Sequence, residues 1–165
     1  MKKDVVEAQV RQFSTFRIQG RLYGIDIQDV KEVDAGIDFT PISHAPKQVK
    51  GYINIRGQIY LLLDLMRILG FEDQAVDGAN RVILFKPEVG ERFGVLVNNI
   101  ADIVAVDIKQ IENRRTKLRE LPDGDERRGA DVAEGICKME DELLVIINSR
   151  NLLDIVENLR IRSQE

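Results

Sequence analysis

Two stretches of this chain run in step with two later ones, and any fold has to accommodate that before anything else. "YGIDIQDVKEV" at 23–33 aligns with "FGVLVNNIADI" at 93–103, Gly24 against Gly94, 70 residues on. "GYINIRGQIYLLLDLMRIL" at 51–69 aligns with "GICKMEDELLVIINSRNLL" at 135–153, now 84 residues on, so 14 extra residues lie between the copies. Two matches in the same order indicate a duplicated unit, each copy too small to bury a robust core alone and therefore packed against the other.

The unit is made of strands. "FSTFRI", "LYGIDI", "VKGYINI", "QIYLLLDL", "RVILFKP", "RFGVLVNNI", "DIVAV" and "LLVIIN" are short, rich in β-branched and aromatic residues, and bounded by Gly, Asn, Asp or Pro. That spacing predicts a mainly β body rather than strands alternating with long helices. Helix signals occur at three places. Asp64 is set to cap a short turn "LMRIL" that ends at Gly70, and "DIKQIENRRTKL" carries Ile108, Ile111 and Leu118 among charges. "SRNLLDIVENLRI" repeats Leu152, Leu153, Val156 and Leu159 at helical spacing, an apolar stripe to lay along the body. The extra residues fall in "ENRRTKLRELPDGDERRGADVAEG" at 112–135, where acids interleave with the arginines. A solvated helix end and a mobile loop are expected there rather than a basic binding patch.

The chemistry that is missing narrows the function. A net charge of −4 and a pI near 5.2 argue against a phosphate-binding, nucleic-acid surface. The longest apolar runs, "YLLL" and "LLVII", fall far short of the roughly 20 residues of a spanning helix. "MKKDVVEAQV" lacks the apolar region of a secretory signal, so the cytoplasm is the expected location. The single cysteine, Cys137, excludes an internal disulfide and is expected to be buried and inert; the single histidine, His44, lies between Pro41 and Pro46 in an expected surface loop. Asp26, Asp29, Glu32 and Asp34 follow a strand and its exit, where alternate residues face opposite sides, so they cannot all converge on one site. The chain holds no phosphate-binding P-loop, nucleophile elbow or zinc-binding H-E-x-x-H helix. No active site is expected. What stands out instead is "VKGYINIRGQIYLLLDL" at 49–65, the most hydrophobic hairpin of the chain with an arginine at its tip.

The succession "FRIQGRLYGIDIQDVKEV", "FTPISHAPKQVKGYINIRGQIYLLLDLMRILG", "RVILFKPEVGERFGVLVNNIADIVAVD" and "EGICKMEDELLVIINSRNLL" resembles the CheW family of chemotaxis coupling proteins. The resemblance covers residues 11–155 and is most specific from Pro41 to Gly57. It implies a mainly β fold of two side-by-side SH3-like five-stranded β-barrel subdomains with a few short helices and a C-terminal helix. Within a single domain at 11–155, subdomain one would span 20–80 and subdomain two 81–148; the N-terminal strand and C-terminal helix would complete the body, leaving flexible tails at 1–10 and 160–165.

The resemblance also implies a non-catalytic adaptor without cofactor or metal. Such a protein bridges the cytoplasmic tip of a chemoreceptor (a methyl-accepting chemotaxis protein) to the regulatory domain of the histidine kinase CheA. It would work in the cytoplasm, recruited to membrane-associated receptor arrays, with no membrane insertion and no nucleic acid. The same fold serving a twitching or developmental pathway is the alternative. Carried over by position, the receptor-facing groove would involve Val30, Glu32, Gly51, Arg56, Val82, Ile100 and Gly135, and the kinase edge Val33. For the apolar positions, Val82 above all, packing inside a barrel is the competing reading. Glu32 and Arg56 are the one opposite-charge pair among them and are expected to meet across neighbouring strands at the groove's edge. Three departures from the family pattern are local: Leu61 where proline is frequent, Gln48 where an aromatic is frequent, and Asn148 in place of a helix-capping aspartate.

Overall fold

The computed structural model describes residues 9–35, 38–72, 78–113 and 132–163. Among these residues eleven strands and two α-helices follow one another: β1 (Val10–Ile18), β2 (Arg21–Asp26), β3 (Val30–Asp34), β4 (Val49–Ile55), β5 (Gln58–Asp64), α1 (Leu65–Ile68), β6 (Asn80–Phe85), β7 (Phe93–Asn98), β8 (Ile100–Asp107), β9 (Ile111–Glu112), β10 (Ala133–Lys138), β11 (Leu143–Ile147) and α2 (Leu152–Ser163). They form two sheets, ordered β8-β1-β2-β11-β10-β9 and β3-β6-β7-β5-β4. The mainly β, SH3-like architecture is as expected. The first sheet has six strands instead of five because the two-residue β9 adds to β10 through Ile111 and Glu112.

The duplication is visible in these orders, and so is a twist on it. Matched by sequence, β3-β6-β7-β5-β4 reads position for position as β8-β1-β2-β11-β10. Yet neither sheet is made from one copy. The hairpin β1–β2 of the first copy sits with β8–β11 of the second, and the hairpin β6–β7 of the second sits between strands of the first. The exchanged hairpins are joined to their hosts by parallel pairs, β2 with β11 and β5 with β7, each strand far in sequence from its neighbour. The expected division at residue 80 is therefore not where the sheets divide. One sheet takes its strands from residues 30–98, the other from 10–26 and 100–147.

Alternation along the strands explains three apolar cores. Val82, Leu84 and Leu96 face inward with Ile53, Ile55, Tyr60 and Leu62, the inside of one curled sheet. Phe13, Leu22, Val106, Cys137, Leu144 and Ile146 fill the other. The residues between, such as Ile83, Phe85, Phe93, Val95, Tyr23, Ile25, Val145 and Ile147, point the opposite way into a third and largest core, between the sheets. Phe85 and Phe93 stack there with centroids 4.7 Å apart. Two-sided burial is why "RVILF" and "GVLV" read as continuous apolar runs rather than as alternating ones.

Short connections tie the sheets at the crossovers. Between β2 and β3 stands one 3-10 turn, Ile27–Asp29, capped by the Asp26 side chain, which accepts from the Gln28 amide at 2.9 Å. Asp26 also accepts from Arg11 Nε at 2.9 Å, and Arg11 reaches Glu134 at 3.0 Å, pinning β1, β2 and β10 beside the turn. Asp29 sits among these charges. Burial, reinforced by the Asp26 carboxylate and opposed by Arg150, holds its pKa above the ordinary aspartate value of 3.8. The folded protein thus retains the proton to higher pH than the unfolded chain. Its stabilising effect is complete below the ordinary value and lost as pH rises through the folded one. Asp29→Asn should melt higher than wild type at pH 7, with the gap closing as the pH approaches 3; thermal melts across that range check it.

The helices follow their caps. Asp64 Oδ1 accepts from the Arg67 amide at 3.3 Å to open α1, and Gly70, at φ +87°, follows its end. Asn148 does not cap with its side chain, contrary to expectation: a 3-10 turn, Ser149–Asn151, intervenes, and the Asn148 amide bonds the Val132 carbonyl at 2.7 Å instead. Leu152 and Val156 of α2 enter the central core, while Leu153 packs so tightly on Gly90 that a methyl group there would lie 2.5 Å from it. The Leu159 side chain lies outside the described part. Of the stretch expected to be helical at 107–118, the described residues form the end of β8, a 3-10 turn and β9; residues 114–118, and most of the loop at 112–135, lie outside. Of the expected tails, 1–8 and 164–165 also lie outside, but Val10 opens β1 and 160–163 continue α2. Cys137 is buried, and that burial, with Glu112 nearby, pushes its thiol pKa up; His44 is exposed. Among the described residues no helix is long and apolar enough to cross a membrane.

Candidate interaction surface

The hairpin β4–β5 closes through two residues only, Arg56 and Gly57, with Ile55 and Gln58 as the last pair. Such a turn needs positive φ at both positions to match the twist of the strands. Gly57 supplies it freely at +85°, but Arg56 is forced to +50°, a conformation that costs a non-glycine residue about 1–2 kcal/mol. Asn54 Oδ1 accepts from the Gly57 amide at 2.9 Å and holds the turn closed. An asparagine or glycine would fit the first position better, so local folding does not account for the arginine.

What the turn achieves is exposure. The Arg56 side chain is 68% exposed and donates through Nη2 to Glu32 Oε2, whose side chain is 27% exposed. The two expected partners do meet. They are not on neighbouring strands, however: β3 and β4 are the opposite edges of their sheet, and the ion pair spans the seam where it curls on itself. Glu32 Oε1 is buried with no hydrogen-bond partner among the described residues.

A cleft of about 350 Å³ opens beside the pair, lined by Lys31, Ile55, Arg56, Gln58 and Tyr60. Lys31 Nζ donates to the Tyr60 hydroxyl at 2.8 Å, and that hydroxyl donates to Gln58 Oε1 at 3.1 Å. Sequence reasoning missed Lys31 and Tyr60. Tyr60 sits at an inward position of an alternating strand and looked like plain core. Lys31 is aimed at it by a bulge, since Val30 pairs with Phe85 and Glu32 with the very next residue, Leu84. No pattern in "DVKEV" announces that bulge.

The remaining expected positions serve different parts of the molecule. Val30 and Ile100, equivalent in the two copies, start the strands after the crossovers and pack half-buried on the central core. Gly51 and Gly135 are equivalent as well. Each lies at a register shift against its partner strand, and another backbone presses on each: a Cβ would stand 2.1 Å from the Thr40 carbonyl at Gly51 and 2.7 Å from the Glu112 carbonyl at Gly135. Val82 is 0% exposed inside its barrel, which favours the packing reading for that side chain. Val33 is 46% exposed on β3, one of the two edge strands of its sheet. At Leu61, where the resemblance led to proline being expected, the amide donates to the Arg92 carbonyl at 2.9 Å, a bond proline could not make. The arrangement offers recognition by charge and shape; among the described residues no cluster of three or more His, Cys, Asp or Glu could hold a metal ion.

Known proteins share this organisation. Residues 12–157 match the family model described as CheW-like domain. The chain is 24% identical to the chemotaxis protein CheW of Treponema pallidum (strain Nichols), over 88% of this chain and 84% of that protein. It is 25% identical to the chemotaxis protein CheW of Klebsiella aerogenes, over 89% and 84%. Among solved structures it superposes on the scaffolding protein TtCheW from Thermoanaerobacter tengcongensis with a TM-score of 0.70 and 27% identity, covering 84% of this chain and 89% of that one.

Proposed function

The chain belongs to the CheW-like family, and from that premise we propose that it is a non-catalytic chemosensory adaptor that couples the cytoplasmic tip of a chemoreceptor to the histidine kinase CheA. It acts through contacts alone, in the cytoplasm, recruited to receptor arrays at the membrane. The observation that carries this reading is Arg56. It occupies a strained turn position, stands exposed, and is held at one orientation by Glu32. The second copy of the unit has Glu140 there, in a longer turn in which the Met139 amide bonds the Glu142 carbonyl at 2.8 Å. The barrel therefore folds without the arginine, and a receptor contact explains why one barrel keeps it.

In this reading Glu32 and Arg56 touch the receptor, and Val30 and Ile100 fix where the strands bearing that surface emerge from the core. Gly51, Gly135 and Val82 shape the surface from beneath. The regulatory domain of CheA docks on the edge strand β3, where Val33 gives it an apolar contact. Purified protein titrated with a receptor cytoplasmic fragment and with the kinase regulatory domain tests the proposal: it should bind both, and a chain that binds neither is not an adaptor. Arg56→Glu sets a third carboxylate beside Glu32 and Asp34. Its melting temperature should stay within a few degrees of wild type, as for most exposed ion pairs, while receptor affinity falls about tenfold. If the variant unfolds instead, the arginine is structural.

A further inference from the structure

We propose that the cleft beside Arg56 is a seat for a single carboxylate of the receptor tip, and that Lys31 is the residue that selects it; this rests on the adaptor reading above. The charges in and around the cleft are Lys31, Arg56, Glu32 and Asp34. Arg56 is answered by Glu32 through a direct bond and by Asp34 through space. Lys31 has no carboxylate partner among the described residues. Its ammonium is bonded to a neutral phenol at 2.8 Å and stands 5.5 Å from the centre of the Tyr60 ring. A cation held in one place by an uncharged group, with two of its three donor hydrogens uncommitted, is preorganised for an anion.

Gln58 adds to this. Its oxygen accepts from Tyr60, which leaves its amide NH2 as a further neutral donor at the rim. One ammonium without a direct carboxylate partner, beside a neutral donor and among four charges that sum to zero, matches a monoanionic carboxylate better than a dianionic phosphate.

The duplicated copy supplies an internal control. The positions matching Lys31, Arg56, Gln58 and Tyr60 are Ala101, Glu140, Glu142 and Leu144. None of the cleft's donors is present there, and Glu142 is taken by Arg17 in a two-pronged pair at 2.8 Å. The same strand order forms regardless. The Lys31–Tyr60–Gln58 chain is thus an addition to the fold rather than a requirement of it, whereas the bulge that aims Lys31 at the cleft is common to both copies, β8 carrying an extra residue against β1 just after Ile100.

The test measures affinity for a chemoreceptor cytoplasmic fragment and, in parallel, for the kinase regulatory domain. Lys31→Glu should weaken receptor binding about tenfold at low salt, and most of that difference should vanish near 0.5 M salt, where charges are screened beyond about 4 Å. Lys31→Arg should retain most of the affinity, because it keeps the charge. Tyr60→Phe, which keeps the ring and removes only the hydroxyl, should weaken receptor binding about threefold, the size expected for one lost positioning bond. Melting temperature should be unchanged in the Lys31 variants, and kinase affinity should change clearly less than receptor affinity. Receptor binding by Lys31→Glu equal to wild type at low salt, or a loss confined to the kinase, overturns the assignment of the cleft while leaving the adaptor reading intact. A wild-type chain that binds no receptor fragment overturns the adaptor reading first.

Discussion

A chain ending at residue 79 is expected to stay unfolded, although it contains one whole copy of the duplicated unit. It would hold β1 to β5. In the intact sheets β3 is separated from β5 by β6 and β7, and the β1–β2 hairpin is flanked by β8 and β11. Every one of those neighbours is missing from the fragment. Its circular dichroism should show little ordered strand and its heating curve no cooperative step. Mixed with a second fragment of residues 80–165, it should regain both, since the pieces together restore all the pairings. Order in the first fragment alone should appear only at high concentration and as dimers, with each chain lending the other its first hairpin. A monomeric, cooperatively melting fragment would show that the hairpin exchange is dispensable.

Gly51→Ala should be the most damaging single substitution among the positions proposed for the receptor-facing groove. The glycine has φ +151°, and its added methyl would lie 2.1 Å from the Thr40 carbonyl oxygen and 2.7 Å from the carbonyl carbon. Backbone cannot swing aside as a side chain can. Thr40 is held to Tyr52 by two bonds of 2.8 Å, so relief would cost that bridge and the adjacent bulge. Strain and lost pairing together are worth on the order of 3 kcal/mol, or about 6–12 °C in melting temperature for a chain of this size. Any loss of receptor binding by this variant should then follow loss of structure, unlike Arg56→Glu, where binding falls and the melt stays. Calorimetry of the two variants side by side separates them. A Gly51→Ala protein as stable as wild type would mean that the Thr40 segment moves freely.

The strands were legible because most are signalled twice, by residue type and by turn residues at their ends, and the two copies support each other. The ion pair of Glu32 with Arg56 was legible in its chemistry but not in its geometry. Charge complementarity can be read from residues, whereas the seam between edge strands exists only once the sheet has curled. The hairpin exchange was hidden for a related reason: the alternation of Leu22, Tyr23 and Ile25 says which residues face together, not which of two equivalent sheets they join. Lys31 and Tyr60 were hidden by the bulge at Val30, since a one-residue slip redirects a side chain without leaving a mark in composition. The helical reading of 107–118 failed in its described part because Asp107 caps a single 3-10 turn, accepting from the Lys109 amide at 2.9 Å, and Ile111 returns to the sheet.

If the chain couples two partners as proposed, the core between the sheets decides how a message can pass through it. Two bodies joined by a thin polar contact would rock against each other, and a partner on one could be sensed on the other by a change of angle. Here the largest apolar core is the one that both share, and each body is threaded with a hairpin from the other. Hinge motion would have to break both at once, so it is closed as a channel. The two bodies are thus built as one block, and on the adaptor reading proposed above what passes from one partner to the next would be displacement rather than deformation.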